Sequence, residues 1–482
     1  MKKLLDEKNE KALLIGLFVA ALALRLWFSL WYHRPADFIQ SDMWVYNHRA
    51  GHLIDRQGNA FDTFSPIGYP AMLALIYKIV GGRNYGAVGV VQDFMGAAIV
   101  TLSHLVARRI TGTYWVAAAT GIIVALYPPM VFYCGLCLTE TPFCFFLLLS
   151  TWALFKAIDT SGLSVDHERA TPATKPWVTW AWMALCGVSL SLGNALRSNL
   201  VMFFPMLPLF VWVMLGRDLK KTAIFSAKIF AFTLPIMIAV SVHMSALRGK
   251  FVPFSTNGGL NFFLAHAEYV GVRWKDSTGF AHTIVPIPNM IRYKDFYESP
   301  VPLYEESHYY AQAFAILKDN PYRLAIALDN IVEGLGLGRQ ELWPGWRGHD
   351  VFLGAVAHVF AWLIWPVVFA YFVVLARLKR LLLPEEAPRL LVYLHVAALI
   401  VTVYTFLGDP RMRVPFDPLL IVLFLDAIHR SNQVIAQVRA DRAELAERRR
   451  AELGEAGEVN TTDKTVTQTE TTETPELSAS PG

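Results

Sequence analysis

Ten apolar segments of about twenty residues, separated mostly by short polar connections, dominate this 482-residue chain. A helix needs about 20 apolar residues to cross a bilayer, and in lipid it must satisfy its own backbone hydrogen bonds. Only 17% of the residues are charged, against roughly 25% in soluble proteins. The predicted fold is an all-α polytopic membrane bundle with spans at 12–31, 86–107, 114–132, 141–157, 177–196, 199–215, 222–246, 351–375, 389–407 and 414–429.

The lysines and arginines orient these spans, because cytoplasmic loops of membrane proteins are enriched in both. With a cytoplasmic N-terminus, the predicted inner loops contain Lys2, Lys3, Arg108, Arg109, Lys156, Lys175, Arg217, Lys220, Lys221, Arg377, Lys379, Arg380 and Arg430. Counting the apolar stretch 66–80 as a further span would move most of these residues outside. We therefore predict a short interfacial helix there, on the outer face.

This orientation divides the chain into membrane and external parts. The first part is a transmembrane region at 1–246, which contains a first external loop at 32–85. An external lid or acceptor-binding segment follows at 247–350, and then C-terminal spans at 351–430. The last part is a charged cytoplasmic helix with a disordered tail at 431–482. The external segment is predicted to be helical over 303–333, with a break at Pro321. The tail has too few apolar residues to bury. Basic and aromatic residues are not interleaved on any predicted soluble surface, so no nucleic-acid partner is expected.

Three arginines depart from the charge rule because they occupy short turns on the predicted outer side. They are Arg197, Arg411 and Arg413. An unpaired cation at membrane depth costs a few kcal/mol, and a guanidinium group binds phosphate oxygens in pairs. Each could instead pair with a nearby carboxylate, such as Asp409 or Asp417, or extend to the headgroups. Three on one side favour a shared anionic ligand, such as a lipid phosphate, with Asp409 orienting its neighbours.

Acidic residues lie on the same predicted side. Asp42 follows the first span by about ten residues, and Tyr46 comes one turn later. A carboxylate near arginines can act as a general base for a hydroxyl nucleophile. Composition alone does not separate Asp42 from Asp37, Asp55 and Asp62 in the same loop, and a helix cap or a solvated charge is the alternative for each of them. Glu140 lies at the outer ends of the third and fourth spans, and Asp93 lies inside the second span, where an acid is functional or paired.

Cysteines and histidines give weaker indications. Cys134 and Cys137 form a C-x-x-C pair that could be a disulfide or half of a metal site. No second C-x-x-C accompanies it, so buried thiols are favoured. The spacing of His33, His48 and His52 fits no zinc motif, and no metal ligands are assigned.

Five stretches, in this order, carry a resemblance to a known family: "SDMWVYNHRAGHL", "FSPIGYPAMLALIYKIVGG", "LYPPMVFYCGLCLTETPF", "NALRSNLVMFFP" and "LGDPRMRVPFDPLLIVL". With these motifs the chain resembles bacterial membrane glycosyltransferases related to protein O-mannosyltransferases and lipid A aminoarabinose transferases, which have the GT-C fold. The resemblance covers roughly residues 10–430.

The resemblance implies a polyprenyl-phosphate-linked sugar as donor and a catalytic aspartate in the first external loop, which Asp42 matches. It implies a second acid near the site, for which Glu140, Asp62 and Asp93 are candidates. The family's arginine ahead of a proline-containing final span matches Arg411 or Arg413. Metal use varies within the fold, so no cofactor is assigned and a divalent metal is left open.

The expected activity is inverting transfer of a hexosyl or pentosyl group to an acceptor hydroxyl. The arginines would stabilise the leaving phosphate, and Asp42 would take the hydroxyl proton. The acceptor could be a lipid, a glycan or a protein. The expected location is the bacterial inner membrane, with the site facing the periplasm and the C-terminus in the cytoplasm. A lipid-linked glycan transporter or flippase is one alternative, and a glycan polymerase or ligase is another; no internal repeat supports a transporter.

Overall fold

A computed structural model of the protein describes residues 9–166, 171, 175–286, 289, 292–338, 349–431 and 444–445. Apart from residues 431, 444 and 445, the predicted cytoplasmic helix and tail at 431–482 lie outside this range. The helices, in chain order, are α1 Glu10–Trp27, α2 Ser41–Asp55, α3 Gly68–Val80, α4 Tyr85–Thr111, α5 Tyr114–Leu126, α6 Pro128–Phe132, α7 Glu140–Thr160, α8 Pro176–Leu196, α9 Met206–Met214, α10 Leu219–Arg248, α11 Gly258–His266, α12 Glu306–Asp319, α13 Arg323–Ile326, α14 Leu328–Gly334, α15 His349–Arg377, α16 Ala387–Thr405 and α17 417–431.

Helices form in all ten predicted spans, which confirms the all-α polytopic fold class. Among the described residues, six helices are long and apolar enough to cross a membrane: α1 with its π-helical extension to Tyr32, α4, α7, α10, α15 and α16. A seventh span results if α5 and the bent segment after it count as one. Helices α8, α9 and α17 occupy the other predicted spans, and α9 follows a 3-10 helix at Ser198–Phe203. The predicted interfacial helix is α3, with 13 residues.

The third predicted span is broken between α5 and α6, which meet at an angle of 56°. Pro128 and Pro129 have no backbone N–H to donate to the carbonyls four residues earlier. The buried guanidinium of Arg25 donates instead to those two carbonyls, on Val124 at 3.4 Å and Ala125 at 3.3 Å. Arg25 therefore supplies hydrogen bonds to two carbonyls at the bend, which leads the chain toward the start of α7.

Ion pairs between helix ends agree with the alternating direction of the predicted spans. At the predicted inner end, Arg109 contacts Asp159 at 2.7 Å and His104 contacts Glu10 at 2.9 Å. The first residue of α7, Glu140, lies a helix length from Asp159, at the predicted outer end. The structure thus separates the ends of the bundle as the sequence predicts.

Close packing fixes α3 against the end of α8. A Cβ atom on Gly68 would lie 2.5 Å from the Ala195 carbonyl carbon, so only glycine fits. This contact brings the first external loop next to Arg197, the residue that follows α8.

The external segment forms a small core of its own. It includes Leu260, Phe263, Val272 and Tyr309, all of which are buried. Helices α12, α13 and α14 confirm the predicted helical stretch and its break at Pro321. A three-stranded sheet was not predicted: β1 Gly271–Lys275 pairs antiparallel with β2 Ala281–Ile284 and parallel with β3 Phe296–Glu298. These strands are too short to show a clear alternation of apolar and polar residues.

Candidate active site

Helix α2 presents Asp42 in its first turn, where the helix dipole favours a carboxylate. No side chain caps this helix, so the alternative role of Asp42 as a helix cap is wrong. Ser41 has a φ of 44°, an uncommon backbone conformation for a residue with a side chain.

Asp42 instead meets Arg411 from the far end of the chain. Arg411 Nη2 donates to Asp42 Oδ2 at 2.9 Å. The Asp42 side chain is 39% exposed and that of Arg411 is 21% exposed, so the pair is open to a ligand. Asp409 caps the 3-10 helix Pro410–Met412 through the Arg411 backbone N–H and lies 3.4 Å from Arg411 Nε. Asp409 is therefore in contact with Arg411, and its role in orienting that guanidinium stays a prediction.

Glu140 and Arg197 form a second ion pair, with Arg197 Nη2 donating to Glu140 Oε1 at 2.9 Å. The Glu140 side chain is 1% exposed and that of Arg197 is 13% exposed. Glu140 Oε2 and Arg197 Nη1 are buried and have no hydrogen-bond partner among the described residues. Buried polar groups normally have partners. Arg197 Nη1 is therefore a donor that a ligand could use.

The two ion pairs are close enough to form one electrostatic site. Burial opposes the charge on Arg411, but Asp42, Asp409 and Glu140 outweigh it and raise its pKa well above the usual value. Burial, and then the Asp42 carboxylate, raise the pKa of Tyr46, whose hydroxyl also senses Arg411, Glu140 and Arg197. We define the charged cluster as Asp42, Glu140, Arg197, Asp409 and Arg411.

Two tyrosines of the site were not predicted. The buried Tyr133 senses the charges of Glu140, Asp409, Arg411 and Arg197. Its position depends on the bend after α5: the Pro128–Pro129 pair signals a break in the helix, but it does not show that Tyr133 lies beside these charges.

Tyr69 is the second, and it packs edge-on against Tyr46 with 5.2 Å between ring centroids. Its hydroxyl donates to Gln92 at 2.8 Å, and Gln92 donates to the carbonyls of Cys134 and Leu136. This chain of hydrogen bonds ties α3 and α4 to the segment that leads to Glu140.

Arg413 does not line the charged cluster, contrary to the expectation that it binds the donor phosphate. Its side chain is fully buried, with Nε 2.9 Å from Asp417 Oδ1. Its other nitrogens donate to the carbonyls of Leu335 at 3.0 Å and Ala357 at 3.3 Å, and Tyr127 donates to Asp417 at 3.0 Å. These contacts use the guanidinium within the protein, so we leave Arg413 out of the proposed phosphate site.

We expect Arg413→Gln to destabilise the protein by about 3–5 kcal/mol, because it leaves the Asp417 carboxylate buried without its cation. Denaturant unfolding of the purified protein in detergent measures the change. Arg411→Gln is the matched control, since Arg411 is partly exposed and should cost far less. Equal stability of the Arg413 variant and the parent would contradict the structural role.

Asp62 belongs to a different network in the first external loop. Its Oδ2 accepts from the Asn59 backbone N–H at 2.8 Å in a capping box of the 3-10 helix Ala60–Thr63, and lies 2.9 Å from His52 Nδ1. Arg49 Nε is 3.8 Å from Asp62 Oδ1. The structure thus gives Asp62 a role in holding the loop.

Asp93 lies inside the bundle, where it accepts a short hydrogen bond from Ser29. The Arg25 guanidinium acts on it electrostatically. None of these contacts joins Asp93 to the charged cluster.

Cys134 and Cys137 are free, buried thiols, as the sequence favoured.

Within the described ranges, no group of three or more His, Cys, Asp or Glu side chains is arranged to hold a metal ion. The acids of the charged cluster each contact an arginine. A guanidinium group has several donors, so an arginine that contacts one carboxylate can also bind an anionic ligand. The charged cluster therefore suits an anion better than a cation.

Part of the chain matches a known protein family. A family model for dolichyl-phosphate-mannose-protein mannosyltransferase matches residues 69–256, a region that contains Glu140 and Arg197. No curated protein matches the chain in sequence.

Solved structures address the fold. The oligosaccharyltransferase AglB from Archaeoglobus fulgidus, solved with an inhibitory peptide and a dolichol-phosphate, is similar with a TM-score of 0.51 and 13% identity, covering 90% of this chain and 52% of that chain. The chain therefore spans about half the length of AglB. The donor-bound Pmt1-Pmt2 O-mannosyltransferase of S. cerevisiae has a TM-score of 0.39 and 17% identity over 50% of this chain and 34% of that chain.

ArnT from Cupriavidus metallidurans, solved with undecaprenyl phosphate, has a TM-score of 0.38 and 15% identity, covering 86% of this chain and 78% of that chain. The similarity to AglB shows the fold, and the family model shows a sequence relationship over residues 69–256. The chain therefore shares the GT-C fold with AglB, and its residues 69–256 are similar to the dolichyl-phosphate-mannose-protein mannosyltransferase family.

Proposed function

We propose that this protein transfers a sugar from a polyprenyl-phosphate donor to an acceptor hydroxyl, at the charged cluster. The observation that carries the proposal is the open Asp42–Arg411 pair, at 2.9 Å, beside a second arginine with a spare donor. A base and two phosphate-binding groups at one end of a membrane bundle suit a lipid-linked donor. The match to a dolichyl-phosphate-mannose-dependent family and the dolichol-phosphate bound to AglB support this donor class.

In the proposed reaction, Asp42 accepts the proton of the acceptor hydroxyl as that oxygen attacks the anomeric carbon. The new bond joins the acceptor oxygen to the anomeric carbon, and the bond between that carbon and the phosphate oxygen breaks. Its electron pair stays on the phosphate, which leaves as polyprenyl phosphate. Attack opposite the leaving group inverts the anomeric centre. A second carboxylic acid is not needed to protonate the phosphate leaving group.

The arginines supply the electrostatic part of the mechanism. Arg411 and Arg197 would bind the phosphate oxygens, where negative charge grows as the glycosidic bond breaks. Asp409 contacts Arg411, and Glu140 contacts Arg197, so each arginine has a carboxylate that can hold it in place. We therefore assign Glu140 a positioning role, although it was a candidate for a catalytic acid.

We further propose that the site faces the periplasm of a bacterial inner membrane, with the C-terminus in the cytoplasm. The positive-inside pattern supports this orientation, since the charged cluster lies at the end opposite the Arg109–Asp159 pair. Segment 247–350 would then cover the site from the outside and contribute to acceptor binding.

Incubating the purified protein in lipid vesicles with a labelled polyprenyl-phosphate sugar and a cell-envelope extract tests the proposal. A glycosyltransferase forms a labelled acceptor and adds one sugar in each transfer reaction. A flippase moves the label across the vesicle without forming a product, and a polymerase or ligase requires a preassembled glycan donor. Either outcome would replace the proposed function.

The effect of Glu140→Gln separates positioning from acid or base catalysis. We expect the KM for the donor to rise about tenfold, because Arg197 loses its charged partner, while the pH dependence of kcat stays unchanged. Steady-state kinetics over a pH series measure both quantities. Loss of a limb of the pH profile, with KM unchanged, would instead make Glu140 a catalytic acid or base.

A further inference from the structure

A cavity of about 210 Å³ lies between α2, the loop at 58–62, α3 and α10, outside the charged cluster. Its polar lining consists of Arg49, His52, Arg56, Asp62 and His243. The mechanism proposed above uses none of these side chains.

The lining favours an anion. Arg49 and Arg56 are two guanidinium groups against one carboxylate, that of Asp62. Burial lowers the pKa of Arg49 to about 10, which leaves its guanidinium charged at neutral pH. The Asp62 carboxylate is shared with His52 and the Asn59 backbone, so it does not serve Arg49 alone.

Arg49 retains a donor that the protein does not use. Its two terminal nitrogens donate to Ser65, Pro66 and the Asp62 carbonyl. The buried Nε has no hydrogen-bond partner among the described residues, and Asp62 Oδ1 is 3.8 Å away. A charged donor that is buried without a hydrogen bond is costly, and Arg49 is one of the side chains that line this cavity.

Arg56 occupies a backbone conformation that is unfavourable for it. As the residue after α2 it has a φ of 57° and a ψ of 36°, where glycine is the usual choice. A cation near the C-terminal end of a helix interacts favourably with the helix dipole. An arginine at a neighbouring residue with ordinary backbone angles would have the same interaction, so the dipole does not explain the choice of residue 56. Strain of this kind concentrates where a side chain has a function, and here the side chain lines the cavity.

The other walls are apolar. They include Leu53, Ile67, Pro70 and Leu247. Most of α10 faces outward, since only 22% of its apolar window is buried. The cavity therefore combines cationic groups with apolar walls and borders α10, an apolar helix that is long enough to span a membrane.

We propose that this cavity binds the phosphate group of an anionic ligand, with Arg49 and Arg56 as the phosphate contacts and His52 and His243 beside them. The ligand could be the headgroup of an amphiphile, whose chains would follow α10, or a free phosphate. The proposal goes beyond the transfer reaction, because it concerns a second anion site and holds whether or not the charged cluster transfers sugar.

Equilibrium dialysis of full-length protein in neutral detergent tests the site, with dioctanoyl phosphatidic acid and inorganic phosphate as probes. The measurements use an Arg411→Gln background, so that the charged cluster contributes little. Arg56→Gln and His243→Ala test the cavity, and Lys78→Gln on α3 is the matched control for the loss of one exposed cation. Arg56→Gly provides a variant without backbone strain, so lost binding cannot be attributed to misfolding.

We expect phosphatidic acid to bind at one site per chain, with affinity about tenfold weaker in both Arg56 variants and unchanged in Lys78→Gln. Binding of phosphatidic acid with no competition from inorganic phosphate identifies a lipid headgroup, and competition at similar concentrations identifies a free phosphate. Affinity that is equal in the parent and both Arg56 variants, or equal for neutral dioctanoylglycerol, would overturn the proposal.

Discussion

Replacing Asp42 with asparagine is expected to lower the kcat of sugar transfer by about 10²- to 10⁴-fold, the usual contribution of a general base. Asparagine keeps the size of the side chain and removes its ability to take a proton. Donor affinity should be unchanged or higher, because the change releases Arg411 from the contact at 2.9 Å. Single-turnover transfer and separate donor-binding measurements distinguish the two effects.

Asp37→Asn is the matched control for this variant. Asp37 lies in the same external loop and pairs with Arg34 at 3.1 Å, with both side chains exposed. Surface ion pairs contribute little, so transfer should stay near that of the parent. If Asp42→Asn transferred sugar at the parental rate, the assignment of the base would be wrong.

The second large effect is expected for Arg411→Gln, which should weaken binding of polyprenyl phosphate by about 10- to 100-fold. Hydrogen bonds to charged groups contribute about 1.5–3 kcal/mol, and the substitution removes both the charge and the fork of donors. It also frees Asp42 and Asp409 from their shared cation. Binding of the phosphate without its sugar measures this effect apart from catalysis.

Arg411→Lys refines the interpretation, because lysine keeps the charge and loses the planar pair of donors. We expect an affinity between those of the parent and Arg411→Gln. Arg34→Gln, which removes an exposed arginine of the first loop, should leave the affinity unchanged. Equal phosphate binding by the parent and Arg411→Gln would remove Arg411 from the donor site.

Much of the fold could be predicted, because the length and hydropathy of a membrane span are local properties. The predicted segments all became helices, and the grouping of Asp42, Glu140, Arg197 and Arg411 followed from counting spans. Sidedness places residues at one end of a bundle without requiring any knowledge of packing.

The partners of the arginines could not be predicted in the same way. Arg411 and Arg413 are two residues apart and look equivalent in the sequence. Arg413 pairs with Asp417 four residues later, a local partner that the sequence offered. The rest of their difference comes from distant segments: Arg413 donates to the carbonyls of Leu335 and Ala357, whereas Arg411 donates to Asp42. Contacts across so many residues depend on the packed structure, which a single sequence does not reveal.

The bend after α5 shows the same limit. The Pro128–Pro129 pair marks a break, but the replacement of its missing hydrogen bonds by Arg25 requires that α1 and α5 be neighbours. Placing Tyr133 and Glu140 at the site depends on that bend. The short strands at 271–298 were missed because three to five residues are too few to establish a period.

The most direct test of the proposed function measures both products of the transfer in the same vesicles. The purified protein is supplied with a doubly labelled polyprenyl-phosphate sugar and an envelope extract as the source of acceptor. We predict equal amounts of glycosylated acceptor and free polyprenyl phosphate from the parent, and neither above background from Asp42→Asn. Labelled acceptor without an equal release of polyprenyl phosphate, or equal yields from both proteins, would contradict the account.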